Sequence, residues 1–111
     1  MDKNLPYTAE EDIDGYRLVT FGTNDGEVKL TTAATDKVIG VTNYIGALEG
    51  TTVDVSISNH GKVKLSGTVA KGDDLTAAAD GKAAKAEAAG CVFGMALQDG
   101  VAEDVIEFLR K

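Results

Sequence analysis

The stretch "TDKVIGVT" (Thr35–Thr42) has a counterpart near the other end of the chain, "VFGMAL" (Val92–Leu97). In each, a glycine interrupts an apolar run at a point where a strand would carry a side chain: Gly40 in the first, Gly94 in the second. A glycine inside a strand marks close approach by another backbone, a bulge or a sharp bend. Working outward, Asp25-Gly26 matches Asp80-Gly81 at a spacing of 55, while Val38, Gly40 and Val41 match Val92, Gly94 and Met95 at a spacing of 54. Gly15 precedes "YRLV" as Gly72 precedes "DDLT", and "GALEGTTVDVSI" follows the first match as "QDGVAEDVIEFL" follows the second. Features that keep order, spacing and residue type predict a duplicated unit, approximately 15–58 and 72–110.

Between these landmarks the chain reads as short strands. "YRLVTF" (16–21) leads into the turn "GTNDG" (22–26), whose Asn-Asp-Gly chemistry accepts positive φ. "EVKLTTA" (27–33), "TVDVSIS" (52–58) and "KVKLSGTV" (62–69) alternate apolar with polar, as half-buried strands do. "KVIGVTNYI" (37–45) is almost continuously apolar, which predicts a more deeply buried strand with a glycine in it. "NHG" (59–61) and "AADGK" (78–82) read as turns. The Ala-rich "AAKAEAA" (83–89) has helical propensity, but its place in the repeat favours a strand. "VAEDVIEFLRK" (101–111) is open to strand or helical turn. The expected fold is therefore mainly β, a small barrel built from two pseudo-repeated halves over residues 15–111, each half bending across the other.

Residues 1–14, "MDKNLPYTAEEDID", show no strand periodicity and contain the only proline. They read as a flexible, extended N-terminal arm. Leu5, Pro6, Tyr7 and Ile13 are its candidate anchors: Leu5 and Tyr7 as apolar contacts, Pro6 keeping the chain extended. Such an arm can order by pairing with an exposed strand of a partner. Its deletion is then expected to leave the fold intact.

The bulk composition narrows the functional classes. A chain of 111 residues is one domain by length, with a modest core. The net charge of −7, from 18 acidic and 11 basic side chains, argues against nucleic acid and against an anionic membrane surface. No segment has the length and apolarity of a membrane helix, and no signal peptide is expected ahead of the fold. The lone Cys91 has no disulfide partner and reads as a small hydrophobe within "CVFGMAL".

Several chemistries can be weighed against particular residues. Asp36-Lys37 looks like the tip where a lipoyl domain carries its modified lysine, but Val38 and Ile39 open a buried strand at once, where a lipoyl lysine is typically followed by a small residue. His60 stands alone in its turn, without a second His or a nearby Cys for catalysis or metal. Adjacent Asp73 and Asp74 lack the spacing of a calcium loop, and neither "GTNDGE" nor "KGDDLT" has that of a phosphate loop. Ser56, Ser58 and Ser66 alternate outward along strands. No catalytic constellation, cofactor site or metal site is expected, so the chain is read as non-enzymatic.

Taken in order, "GYRLV", "DKVIGVT", "GTTVDVSIS", "AKGDDL", "ADGKA" and "GCVFGMAL" resemble the head decoration, or capsid cement, proteins of tailed bacteriophages over roughly residues 15 to 109. The resemblance implies a β-tulip-like barrel bound to the outer surface of the expanded head, usually as a homotrimer, with the major capsid protein as partner. The implied job is mechanical, holding capsid subunits together against the pressure of packaged DNA. The competing class is a small β-barrel module binding a bacterial carbohydrate or protein. A sugar binder would show exposed aromatics, and the three Tyr and three Phe lie mostly in apolar runs.

Overall fold

The computed structural model describes residues 4–33, 36–43, 45–57, 60–86 and 92–110. Among the described residues ten strands follow one another: β1 (Asn4–Ala9), β2 (Leu18–Phe21), β3 (Glu27–Leu30), β4 (Gly40–Thr42), β5 (Thr52–Ser56), β6 (His60–Lys64), β7 (Asp74–Ala77), β8 (Ala83–Lys85), β9 (Val92–Ala96) and β10 (Val105–Arg110). A 3-10 turn, Ala79–Gly81, joins β7 to β8. The fold is mainly β, as the alternating patterns predict. The two halves do not share one barrel, however. The first closes on itself in the order β1-β3-β2-β4-β5, and the second forms its own sheet, β6-β10-β9-β7-β8.

Pairing each strand of the first half with its successor in the second (β1 with β6, β2 with β7, β3 with β8, β4 with β9, β5 with β10) reproduces the same neighbour order. The equivalence holds residue by residue. Val19 lies opposite Gly40 and Leu75 opposite Gly94. The isolated bridge Ile13–Ala47 recurs as Val69–Gly100. Left-handed backbone recurs in pairs: Gly26 with Gly81, Gly50 with Glu103 and Tyr16 with Gly72. The repeat therefore begins earlier than the glycine pattern suggests, at β1 and β6. The partner of Gly72 is Tyr16, one residue beyond the expected Gly15.

Gly40 and Gly94 carry the feature that opened the sequence. A Cβ on Gly40 would sit 2.2 Å from the Ser56 carbonyl oxygen, and one on Gly94 would sit 2.7 Å from that of Leu109. These oxygens belong to equivalent ends of β5 and β10, so each half uses its glycine to let two backbones meet.

The expected free arm is where the structure departs furthest from the sequence reading. Residues 4–9 are a barrel strand, antiparallel to β5 from Asn4–Ser56 to Thr8–Thr52 and parallel to β3 at Thr8–Glu27 and Ala9–Val28. The lone proline is tolerated for a geometric reason. The Thr8 amide donates to Gly26 and the Ala9 amide to Thr51, so alternate amides face β3 and β5. Pro6 points to the β3 side, beyond the first β1–β3 pair, where no amide is required. The C-terminal segment and the start of the Ala-rich stretch are both strands. Tyr44, Ser58, Cys91 and the end of the Ala-rich stretch lie outside the described residues.

Two cores result. Ala9, Ile13, Val19, Val28, Val53 and Val55 fill the closed barrel, with Tyr7, Leu30, Ile39 and Ala47 packed against them. The second core, built on Leu65, Leu75, Phe93, Ile106 and Phe108, also takes Leu18 and Val41 from the first half. Alternation explains this sharing: Val19 points into its own barrel while Leu18, next to it, points into the other half's core. The continuous apolar runs in β2 and β4 are thus strands buried on both faces. Phe93 and Phe108 meet edge to face, 5.3 Å between ring centres.

Polar contacts lock the junction. The Arg110 guanidinium donates to the carbonyls of Ile39 and Val38, each at 2.7 Å, and burial lowers its pKa from the ordinary arginine value. Arg17 donates from Nη1 to the Asp80 carbonyl at 2.9 Å and lies 3.4 Å from the Asp14 carboxylate. Thr31 donates its hydroxyl to Ala78, and the Gly81 amide donates to Thr31.

Candidate docking surface

The candidate anchors of the N-terminal segment are separated by the fold. Leu5 is 41% exposed on the barrel wall, opposite Val55. Tyr7 packs against the first core and Ile13 is buried at 3%. Pro6 pairs with Asp54 within the ladder. Leu5 and Pro6 are exposed, Tyr7 is half-buried and Ile13 is buried, so the four do not form one apolar grip.

Lys37 is exposed beside the apolar Val38 and Ile39. His60 Nε2 lies 3.5 Å from Glu107 at the surface, and Asp73 accepts the Ala70 amide at 2.9 Å to close its turn. No group of three or more His, Cys, Asp or Glu side chains among the described residues is placed to hold a metal. Phe21, at the end of an apolar run, is 64% exposed, in contrast to the buried Phe93 and Phe108.

A surface the sequence reading passed over lies at one end of the closed barrel. The chain from Ile45 to Thr52 bridges to Ile13 through Ala47 and forms a shallow groove with residues 12–14, lined by Asp12, Ile13, Ile45, Ala47 and Leu48. Ile45 and Leu48 stand out of it at 69% and 68% exposure, the two most exposed large apolar side chains among the described residues. Ile45 belongs to a run that reads as buried strand. Leu48 is the apolar residue of a loop between glycines, and that oddity was the available signal.

The loop is built to hold this shape. The Asn43 side-chain oxygen accepts the amides of Ile45 and Gly46, both at 3.0 Å. Gly46 takes φ 72 and approaches Ile13 so closely that a Cβ would lie 2.2 Å from the Ile13 carbonyl oxygen. Ile13 and Ala47 exchange amide–carbonyl bonds of 2.8 Å in both directions. The Thr51 hydroxyl donates to the Leu48 carbonyl at 2.6 Å, and the Glu49 amide donates to Asp12 at 2.8 Å. A loop so held loses little further freedom when its apolar side chains meet a partner.

Charge surrounds the tip with one sign. Asp12, Asp14 and Glu49 are exposed around it, and of these only Asp14 has an ion-pair partner among the described residues, Arg17. The whole first half shares this bias: residues 1–57 carry ten acidic and four basic side chains, against eight and seven in residues 58–111.

No family model matches the chain, and no curated protein matches it. Among solved structures it is similar to the head fiber gp8.5 N base in bacteriophage phi29, with a TM-score of 0.81 and 20% identity, over 100% of this chain and 95% of that one. The two chains share one fold from end to end. That fold is found in a phage head protein, in agreement with the resemblance to head decoration proteins carried by the sequence motifs.

Proposed function

We propose that this chain is a structural protein of a tailed-phage head, bound to the outer surface of the expanded shell and stabilising it against the pressure of packaged DNA. The observation that carries the reading is the end-to-end likeness to the phi29 head fiber base, at a TM-score of 0.81. The sequence motifs point to the same class independently. In this reading the chain acts as a homotrimer whose partner is the major capsid protein. Its role is mechanical: a rigid double-sheet body that touches neighbouring capsid subunits raises the free energy needed to separate them.

The grip proposed here is made by the folded body. Residues 4–14 belong to the barrel, so an arm that frees itself to pair with the capsid would have to open the first core. Leu5, exposed on β1, adds to the contact surface; Tyr7 and Ile13 support it from inside. Cosedimentation with undecorated heads tests the reading. Saturable binding to expanded heads and weak binding to unexpanded shells are expected, and no binding to either would overturn it.

A further inference from the structure

The proposed head binding leaves open which part of the surface makes the contact and what it meets. We infer that the Ile45–Leu48 tip of the closed barrel is the docking foot, and that its partner is a capsid surface offering an apolar cleft flanked by lysine or arginine side chains. This inference rests on the reading above, but its test is separable from it.

Three observations converge on this tip. Two large aliphatic side chains beside one groove are each more than two-thirds exposed. Hydrogen bonds accepted by Asn43 and Asp12 and donated by Thr51 hold the loop beneath them in place. Carboxylates rim the tip, and the acidic excess of the chain lies in this half. Apolar anchors within a charged rim are the usual anatomy of a specific interface, the anchors supplying affinity and the rim supplying approach and orientation. A rim of one sign calls for the opposite sign across the contact.

The duplication supplies an internal control. Leu48 corresponds to Val101, which is also exposed, at 55%. The second tip is composed differently: Gln98 stands where the first has Ile45, and the equivalents of Asp12 and Glu49 are Thr68 and Ala102. The second tip keeps carboxylates of its own in Asp99 and Asp104, and Leu97 is 39% exposed there, so the two loops share a backbone design and differ in the pair of aliphatic side chains, each more than two-thirds exposed, that only the first presents.

The test uses the full chain and undecorated expanded heads, with oligomeric state followed by analytical ultracentrifugation. The double variant Ile45→Ser/Leu48→Ser should bind at least about tenfold more weakly, with its oligomeric state and melting temperature unchanged. Val101→Ser should bind within about twofold of the parent protein. Asp12→Asn/Glu49→Gln keeps an acceptor for the Glu49 amide; it should weaken binding several-fold at low salt and flatten the salt dependence that the parent protein shows. Undiminished binding by the double variant overturns the inference, as does a loss of oligomer, which would make the tip a contact between copies of this chain. Unchanged salt dependence in the charge-neutral variant overturns the basic partner. Failure of the parent protein to bind heads at all overturns the proposed function instead.

Discussion

The first half of the molecule is a closed barrel and the second is not, although their strands follow the same order. The difference lies at one seam. In the first half the parallel pairing of β1 with β3 shuts the barrel, and the Thr8 amide donates to the Gly26 carbonyl. In the second half the equivalent seam, β6 with β8, keeps a single parallel bridge at Leu65–Ala83. The amide equivalent to that of Thr8 belongs to Lys64, and it donates instead to the Tyr16 carbonyl of the first half at 3.0 Å. Tyr16 adopts φ 58, which is uncommon for a residue with a side chain. Leu18, two residues further on, packs into the second core. The second barrel is thus opened by its docked twin, whose chain takes over the hydrogen bond and the apolar volume that closure would have used.

This comparison can be broken most severely at β1. A chain lacking residues 1–14 loses the strand that closes the first barrel, together with Ala9 and Ile13 from its core. It is expected to lose cooperative unfolding and dispersed amide resonances, whereas a free arm would leave both intact. Next come the two mid-strand glycines. Gly40→Ala places a methyl 2.2 Å from a backbone oxygen and should cost upward of about 3 kcal/mol in chemical denaturation. Gly94→Ala, with 2.7 Å and an open sheet able to give, should cost about half as much.

A smaller and sharper test compares the turn glycines. Gly26 and Gly81 have φ of 82 and 70, so alanine at either should cost about 1–2 kcal/mol from the backbone alone. Around Gly26 nothing lies within 4 Å of the added Cβ, but at Gly81 it would meet Leu30, the Leu18 carbonyl and Arg17 of the first half, at 2.7 to 3.0 Å. Gly81→Ala should therefore exceed Gly26→Ala by about 1–3 kcal/mol. Equal costs would mean that the turn does not press on the other half.

Acid titration should give the smallest effect. In the first half Asp36 accepts the Thr32 amide and hydroxyl and the Ala33 amide, which hold its pKa below the usual aspartate range. In the second half hydrogen bonds from Lys82 and Lys64 lower the pKa of Glu103. Both carboxyls bind protons less readily folded than unfolded. Their stabilisation is therefore present above the ordinary carboxylate pKa, about 4, and fades as pH falls through the depressed values. Asp36→Asn should flatten the acid limb of the melting curve at any salt. Glu103→Gln should do so mainly at low salt, because ion pairs at an exposed carboxylate are screened.

Much of this architecture was legible from residue type. Asp25-Gly26 and Asp80-Gly81 announced equivalent turns, and Gly40 and Gly94 announced equivalent close approaches, because left-handed backbone and backbone contact both select glycine. The β4 run revealed its deeper burial through its lack of alternation. Residues 4–9 were misleading because their partners lie far along the chain: β1 meets β5 across some fifty residues, and Pro6 interrupts the usual strand signature. Equivalent positions also hid behind different residues. Tyr16 does the work of Gly72, and Glu103 that of Gly50, so a search for matched glycines could not find the true start of the repeat. The tip was hidden for a related reason, since an apolar Ile45 next to a buried strand reads as a continuation of it.

The sequence by itself determined that the chain is β-rich, acidic, duplicated and turned at its Asn, Asp and Gly positions, since local backbone preference and side-chain alternation are written residue by residue. Only the tertiary structure decided which half closes, that the leading segment is a wall of the barrel, and that Ile45 and Leu48 stand outside the core. Those outcomes depend on competition between distant groups for the same amides and the same apolar volume, and no single stretch of chain contains both competitors.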